Sequence, residues 1–434
     1  MTDSVKQEDG HYVASLPYRD DVHLPDNHDI ARKRAQTLKR KLEADEAYRT
    51  SYTEQVQKYI MKGYAERVPD KARQRRDGRV WYMPHHAVKH PTKPKVRVVF
   101  DLKVRFGGHS LNDHLLQGPD LTNNLVGVLL RFRNGQFAVT EDIQEMFHQV
   151  KVPIDDRDVL RYLWWPEGDT SRRIEEYRMT SHVFGARSSP SVVNFCLRKT
   201  AEDYGHLYDD ETTTILLRNF YVDNLLKSFH DEARCVTLIN DLINVCRDGG
   251  FRLNQWTANN KRVLATVPEG ERDDSVAVLD LSKDELPTER ALGIHWDMND
   301  DNFTFRGDVR DKPYTLRGVL SVVASLYDPL GLVSPFTLLG KQILQEMCRR
   351  KLSWDEKMSD TEVLQWEAWL QQFTLLPEFK LRRSLIPPAF GEGASFQLHH
   401  FSDASQTGYR VASYLRVVST DGEVHAHCSW EELE

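Results

Sequence analysis

Two acidic residues stand in apolar surroundings. Asp142 closes the run FAVTED, and Asp223 lies inside NFYVDNLL. An ionised carboxylate flanked by apolar residues is costly unless it is paired or holds a metal. Each also has a plainer reading: Asp142 as a loop acid after a strand, Asp223 as a turn residue at a hairpin tip. They are 81 positions apart (223 − 142), so only the fold can bring them together. If it does, they form the all-oxygen site that Mg²⁺ prefers. Two ions held there would bind a triphosphate and activate a 3′-hydroxyl for in-line attack.

Two further segments offer phosphate-facing chemistry. In KPKVRVVFD, Lys95 and Arg97 alternate with Val96 and Val98, so both cations fall on one face of a strand. Paired cations suit a triphosphate, and Arg grips phosphate oxygens bidentately. In FGARSSP, Gly185 permits close backbone approach, and Ser189–Pro190 reads as an N-cap followed by a first-turn proline. The plainer reading of that segment is an ordinary loop-to-helix entry.

These residues need a scaffold of strands and hairpins. VWYM, KVRVVF and QFAVTEDI read as strands, YLWW and RIEEYRM as a hairpin turning at Pro166–Gly168, and NFYVDNLL as a buried hairpin. A strand–turn–strand with an acid at its tip holds a ligand rigidly. Residues 30–62 read as one long polar helix. In 231–248, Cys235, Leu238, Ile239, Leu242 and Cys246 share one helical face. Helical patterns dominate 314–373, and a strand-rich stretch follows at 396–428.

Composition bounds the rest. The chain has 434 residues, enough for two or three domains, with 40% hydrophobic and 28% charged residues, as in a globular protein. Net charge is −7, yet residues 67–105 hold twelve Lys/Arg against three Asp, a local surplus of nine that suits phosphate binding or a solvated basic face. Five scattered cysteines with no CxxC argue for a reducing intracellular setting without a disulfide framework. The start MTDSVKQEDGHY lacks an apolar stretch, and the most apolar window, 318–340, is broken by Asp328, Pro329 and Pro335. Neither a signal peptide nor a membrane span is expected.

In order and spacing these segments resemble a retroelement reverse transcriptase, most closely the Bel/Pao group of LTR retrotransposons. AVTEDIQEMFHQVKV is similar to its motif A, FGARSSPSVVNF to motif B and NFYVDNLLKS to motif C. GGFRLNQWTANNKRVL resembles motif D, ALGIHWD motif E, and RGVLSVVASLYDPLGLVSP the block after the polymerase core. FSDAS resembles the first strand of an RNase H domain, and HYVASLP the group's lead-in.

The resemblance implies an α+β right-hand polymerase with a truncated RNase H-like α/β stub. It places a helical lead-in at 1–79, fingers and palm at 80–264, thumb and connection at 265–390, and a partial RNase H-like domain at 395–434. Asp142 and Asp223 become the catalytic metal ligands, with Ile143 lending a carbonyl. Lys95, Arg97, Phe147 and Gly185 bind nucleotide, Phe147 as the aromatic that excludes a ribose 2′-hydroxyl. Leu292 and Gly293 grip the primer, and Asp403 is an RNase H remnant. The implied function is RNA-directed DNA polymerisation by two-metal nucleotidyl transfer from a dNTP to a primer 3′-hydroxyl. Mg²⁺ is the expected cofactor, with Mn²⁺ as substitute. The expected partners are an RNA or DNA template with its primer, dNTPs and other parts of a retroelement polyprotein, with no membrane. The expected location is a cytoplasmic particle, the nucleus or both.

The chain departs from this pattern at three places. Asn224 stands where the group has a second Asp, Phe184 where it has Gln, and the RNase H module ends soon after Asp403, so that activity is expected to be absent. The alternative function is therefore a weakened or inactive nucleic-acid-binding relic. His399–His400 and His425–Ala426–His427–Cys428 read as metal ligands or as strand-edge histidines.

Overall fold

A computed structural model describes residues 4–19, 22–89, 96–309, 312–390, 393–405 and 408–433. The chain divides into two compact units. The first comprises 1–122, 143–216 and 242–252, the second 123–142, 217–241 and 253–434.

The first unit opens with helices rather than the single long helix expected. His28–Ala44 and Glu46–Met61 are separated at Asp45, which is extended (φ −139°, ψ 104°) and accepts from Tyr48 N–H. Aspartate competes with the helix backbone and favours exactly such a start position over a helix interior, so it splits the run. Each helix buries one stripe: Ala31, Ala35, Leu38 and Leu42 in the first, Tyr52, Val56 and Tyr59 in the second. The stripes pack into a core with Trp81, Met83, Phe100, Tyr162 and Trp164.

Arg161–Trp164 and Glu175–Met179 form the expected hairpin around Pro166–Gly168, and Ala65–Arg67 joins as a third strand. VWYM is not a strand; Tyr82 makes one isolated bridge to Arg161. Its Trp81, Tyr82 and Met83 are all buried, so core packing rather than ladder pairing uses this segment. The helix Ser189–Tyr204 begins one residue earlier than expected: Ser188 is its N-cap, without a side-chain cap bond, and Pro190 lies in the first turn.

Of three enclosed histidines in this unit, His182 is buried and His85 and His148 are half-buried. His85 Nε2 lies 2.9 Å from Leu163 O, His148 Nδ1 3.0 Å from His182 O, and His182 Nε2 3.0 Å from Ala14 O.

The second unit contains three sheets. The first has strand order Leu253–Ala258, Phe137–Ile143, Asn224–Phe229, Phe220–Tyr221. An antiparallel sheet follows in the order Thr288–Ala291, Ile294–Asp297, Asn302–Thr304, Lys380–Arg382. The third is the meander Ser395–Ser405, Gly408–Val418, Val424–Leu433. Helices Leu316–Val323, Ser334–Arg349 and Asp360–Phe373 lie in sequence between the third and fourth strands of the second sheet. No helix among the described residues is long and apolar enough to cross a membrane.

Two buried arginines tie these sheets together. Arg383 donates to both carboxylate oxygens of Asp301 (2.7 and 2.9 Å) and to the carbonyls of Phe132, Gly135 (2.8 Å) and Gln136 (3.1 Å). Arg133 donates to the carbonyls of Arg383 (3.0 Å), Cys428 (3.1 Å) and Ser429 (2.9 Å). The lead-in to the 137–143 strand, the second sheet and the final strand of the meander therefore share one hydrogen-bonded centre. Arg suits this role because its fork of five donors reaches several acceptors at once.

Two outcomes follow for stability. Arg383→Ala removes the cation from Asp301 and the donor from the buried carbonyls of Phe132 and Gly135, so it should cost about 3–5 kcal/mol in urea unfolding. A loss below about 1 kcal/mol, the scale of an exposed pair, would show the cluster to be dispensable. Burial pulls His85, His148 and His182 down to about 4. All three are neutral when folded, whereas an unfolded histidine titrates near ~6.5. Their contribution is thus intact above that pH and lost as pH falls toward the folded value, by roughly 1.4 kcal/mol per pH unit per histidine. Melting temperature between neutral pH and about pH 4.5 should drop accordingly. A flat profile would mean that the rings are protonated in the fold.

Candidate active site

The central strand Phe137–Ile143 and its neighbour Asn224–Phe229 are antiparallel over six residue pairs, from Asn224↔Asp142 to Phe229↔Phe137. Ala138, Val139 and Glu141 on one strand and Leu225, Leu226, Ser228 and Phe229 on the other are buried. Burial on both faces fixes the register, because a one-residue slip would exchange the faces. The neighbouring strand returns through a two-residue turn, Val222–Asp223, closed by Tyr221↔Asn224.

The register sets Asp223 one residue away from the strand partner of Asp142. Asp142 ends the core strand, Asn224 faces it, and Asp223 is the next residue, in the turn. Val222 holds φ +58°. A β-branched residue there is an outlier of the kind that clusters at functional turns. The Asn224 side chain donates from Nδ2 to Asp142 Oδ2 at 3.1 Å. The residue that replaces an acid thus serves as a hydrogen-bond donor to the acid that is present.

A cavity of about 100 Å³ opens beside Asp142 and Asn224. Thr140, Gln255 and Thr257 line it from the same sheet, and Glu289, Arg290, Ala291 and Leu292 from the second. Thr140 Oγ1 and Thr257 Oγ1 lie 2.7 Å apart and join the central strand to its edge neighbour Leu253–Ala258. Asp223 is not among the lining residues. Leu292 and Gly293, the expected primer-grip pair, form the two-residue turn between Ala291 and Ile294. Their φ values, +48° and +93°, match the type I′ hairpin turn, which suits Gly but forces Leu292 into a strained left-handed conformation.

Glu141 was not singled out by the sequence reading. It is 2% exposed, and neither carboxyl oxygen has a hydrogen-bond partner. Burial first, then the charges of Asp142 and Asp223, push its carboxyl well above the usual range. The signal was present: an acid at a core-facing position of an apolar strand.

The nucleotide-side residues belong to the first unit. Arg97 is exposed on the strand Val96–Phe100, whose Val96 and Val98 are buried, as the alternation requires. Lys95 lies outside the described residues. Phe147 is half-buried in the short helix Met146–Gln149, and its ring meets Phe184 edge-on at 5.9 Å. Gly185 has φ +99°, and a Cβ there would lie 3.3 Å from Phe100 O. Asn112 fixes its loop by donating to Gly185 O (2.9 Å) and accepting from Arg187 N–H (2.8 Å). Glu145, at φ +51°, bridges Lys58 (2.6 Å) and Lys62 (2.7 Å) and so anchors the turn before Phe147 on the second helix.

Ile143 ends the central strand with a buried side chain, and Asp403 is exposed on Ser395–Ser405. Asp403 Oδ1 accepts from Ala404 N–H at 2.9 Å. Among the described residues, no three His, Cys, Asp or Glu side chains gather as a metal shell, and His425 and His427 instead pack ring to ring at 5.7 Å. Asp142 and Asp223 supply two hard carboxylates on a rigid hairpin. That donor set fits Mg²⁺, which is held by one or two carboxylates together with waters and substrate phosphates.

Residues 315–429 match the family model of the Pao retrotransposon-like RNaseH-like domain. Two solved structures of foamy viral protease–reverse transcriptase are similar in fold. One, bound to dsDNA, is 13% identical, with a TM-score of 0.53 over 88% of this chain and 67% of that one. The other, a dRH form with ds DNA, is 12% identical, with a TM-score of 0.52 over 85% and 54%. The chain thus spans about half of the latter's length. No curated protein matches in sequence. The chain has a mixed α/β fold resembling a retroviral reverse transcriptase, with an RNase H-like region toward its C-terminal end.

The Asn224–Asp142 pair yields a metal-dependent prediction. Asn224→Asp replaces a donor by a second negative charge opposite Asp142, so without divalent ions it should destabilise by about 1–3 kcal/mol. Mg²⁺ should then raise its melting temperature more than the parent's, because ligand that binds only the folded form stabilises it by mass action. Equal Mg²⁺ responses in both proteins would place the ion elsewhere.

Proposed function

We propose that the chain is the polymerase core of a retroelement reverse transcriptase. The observation that carries this reading is the antiparallel register that pairs Asp142, which lines the cavity, with Asn224, the residue that follows the Val222–Asp223 turn. Asp142 and Asp223 would hold two Mg²⁺ ions, with Ile143 adding a backbone carbonyl. Bound there, the ions would supply Lewis-acid activation of a primer 3′-hydroxyl and charge neutralisation on a dNTP. Asn224 keeps Asp142 oriented through its amide. The turn Leu292–Gly293, across the cavity, would support the primer strand.

The nucleotide roles of Lys95, Arg97, Phe147 and Gly185 rest on the motif resemblance. The solved relatives were captured with DNA, which supports a primer–template as the partner here. RNA as template, dNTPs as substrate, and the surrounding polyprotein belong to the same proposal. The RNase H-like region is read as an attached module, with Asp403 its one carried-over acid.

A second reading has an observation of its own. Asn224 removes one negative charge from the site and occupies an oxygen of Asp142. Weakened metal binding would leave a nucleic-acid-binding protein with little or no synthesis.

Primer extension separates the readings. The parent should extend a DNA primer on an RNA template with Mg²⁺ or Mn²⁺. Asp142→Asn and Asp223→Asn should each lower the rate at least ~10²-fold while keeping the melting temperature, the scale of losing one strong electrostatic stabiliser. Variants that extend as fast as the parent would refute the assignment. A parent that binds duplex yet never extends it would favour the relic.

A further inference from the structure

The cavity wall built by the 288–297 hairpin is supported by a residue that none of the motif assignments uses. The turn glycine, Gly293, is covered by Tyr327: a Cβ at Gly293 would lie 2.8 Å from both Cδ1 and Cε1 of that ring. Contact this close means that the ring lies against the glycine and braces the strained turn from behind. The ring is not buried by the contact, since Tyr327 is still 44% exposed. Partial burial raises its hydroxyl pKa.

Tyr327 is held rigidly for so exposed a side chain. Asp328, the next residue, accepts from Leu332 N–H (2.9 Å) and Val333 N–H (2.7 Å), which closes the DPLGL turn. Gly331 in that turn has φ +72° and abuts Glu431 O, where any Cβ would overlap it at 1.7 Å. Glu431 N–H donates to Leu330 O at 2.9 Å. The segment is thus pinned at one end to the last strand of the meander and presents an aromatic face at the other. Tyr327 thus offers a half-exposed aromatic face beside the Leu292–Gly293 turn, on a backbone pinned at Leu330 and Asp328. Sugar and base faces of a nucleic-acid strand are the ligands that such a ring stacks on.

We propose that Tyr327 is a primer-positioning residue, which with the Leu292–Gly293 turn forms the seat of the primer terminus. The proposal rests on the polymerase reading for the identity of the strand, and on the 288–297 hairpin for its place. The ring face, rather than the hydroxyl, does the seating.

The test is a DNA primer–template whose primer ends in 2-aminopurine, mixed with the full chain without dNTP. The fluorescence of that terminal base reports seating independently of catalysis. Tyr327→Ala should lower the ratio of seated to frayed terminus about tenfold, equivalent to 1.4 kcal/mol. Overall duplex affinity and melting temperature should hold. Tyr327→Phe should restore seating. In extension assays the alanine variant should lose kcat and keep its KM for dNTP. Seating equal to the parent's would overturn the proposal. So would a joint loss of duplex affinity and melting temperature that Tyr327→Phe fails to rescue, since that marks a purely structural brace. A parent that seats the terminus through Tyr327 but never extends it would overturn the polymerase reading alone. A parent that does not bind the duplex would overturn both.

Discussion

The pairing of two antiparallel strands decides almost everything about the candidate site. With Asn224 opposite Asp142 and Phe229 opposite Phe137, both strands bury apolar side chains, and the polar ends converge at one edge. A one-residue slip would set Asn224 opposite Glu141 or Ile143 and exchange the faces of the strand, so only this register pairs Asn224 with Asp142. The tight return at Val222–Asp223 then leaves Asp223 no freedom to move away from Asp142. The strain at Val222 is tolerated because the ladder on either side over-determines the turn.

That strand pair would be loosely supported without the arginine centre. Arg383 collects the carbonyls of Phe132, Gly135 and Gln136, the residues that lead into the central strand, and holds them against Asp301 of the second sheet. Arg133 extends the same centre to Cys428 and Ser429 in the final strand. The YDPLGL segment makes an independent connection, with Glu431 at one end and Gly293 at the other. Residues 315–429, matched as RNase H-like, are therefore hydrogen-bonded through Ser429 to the lead-in of the central strand.

How far the sequence could be read depended on the range of the interactions involved. The central strand, the Asp223 hairpin and the helix over 232–248 were legible because each carries a local period and local turn chemistry. The break at Asp45 was legible in principle, since aspartate is a poor helix-interior residue, but an unbroken polar run masked it. VWYM has strand composition, yet its aromatic side chains are spent on the core and only Tyr82 bridges. The arginine centre could not be read at all: Arg133 and Arg383 are 250 positions apart, and nothing local distinguishes them from surface cations. The closeness of Tyr327 to Gly293 is invisible for the same reason.

Asn224 becomes intelligible when Glu141 is considered with it. Glu141 lies beside Asp142 in the chain and opposite Leu225 in the ladder, buried and without a hydrogen-bond partner. The charges of Asp142 and Asp223 already bear on it. A carboxylate at 224 would bring a fourth acid to two short strand ends, one of the four with no access to water. Like charges directly opposed in a ladder destabilise it, and buried carboxylates raise that cost through the low local dielectric. An amide at 224 keeps the shape of the acid, contributes no charge, and orients Asp142 by donating to it. The two departures from an ordinary acid pair therefore offset each other: an extra carboxyl enters from the core side at 141, and one is withdrawn from the cavity side at 224. The strand ends thus carry two carboxylates, Asp142 and Asp223, beside the buried Glu141.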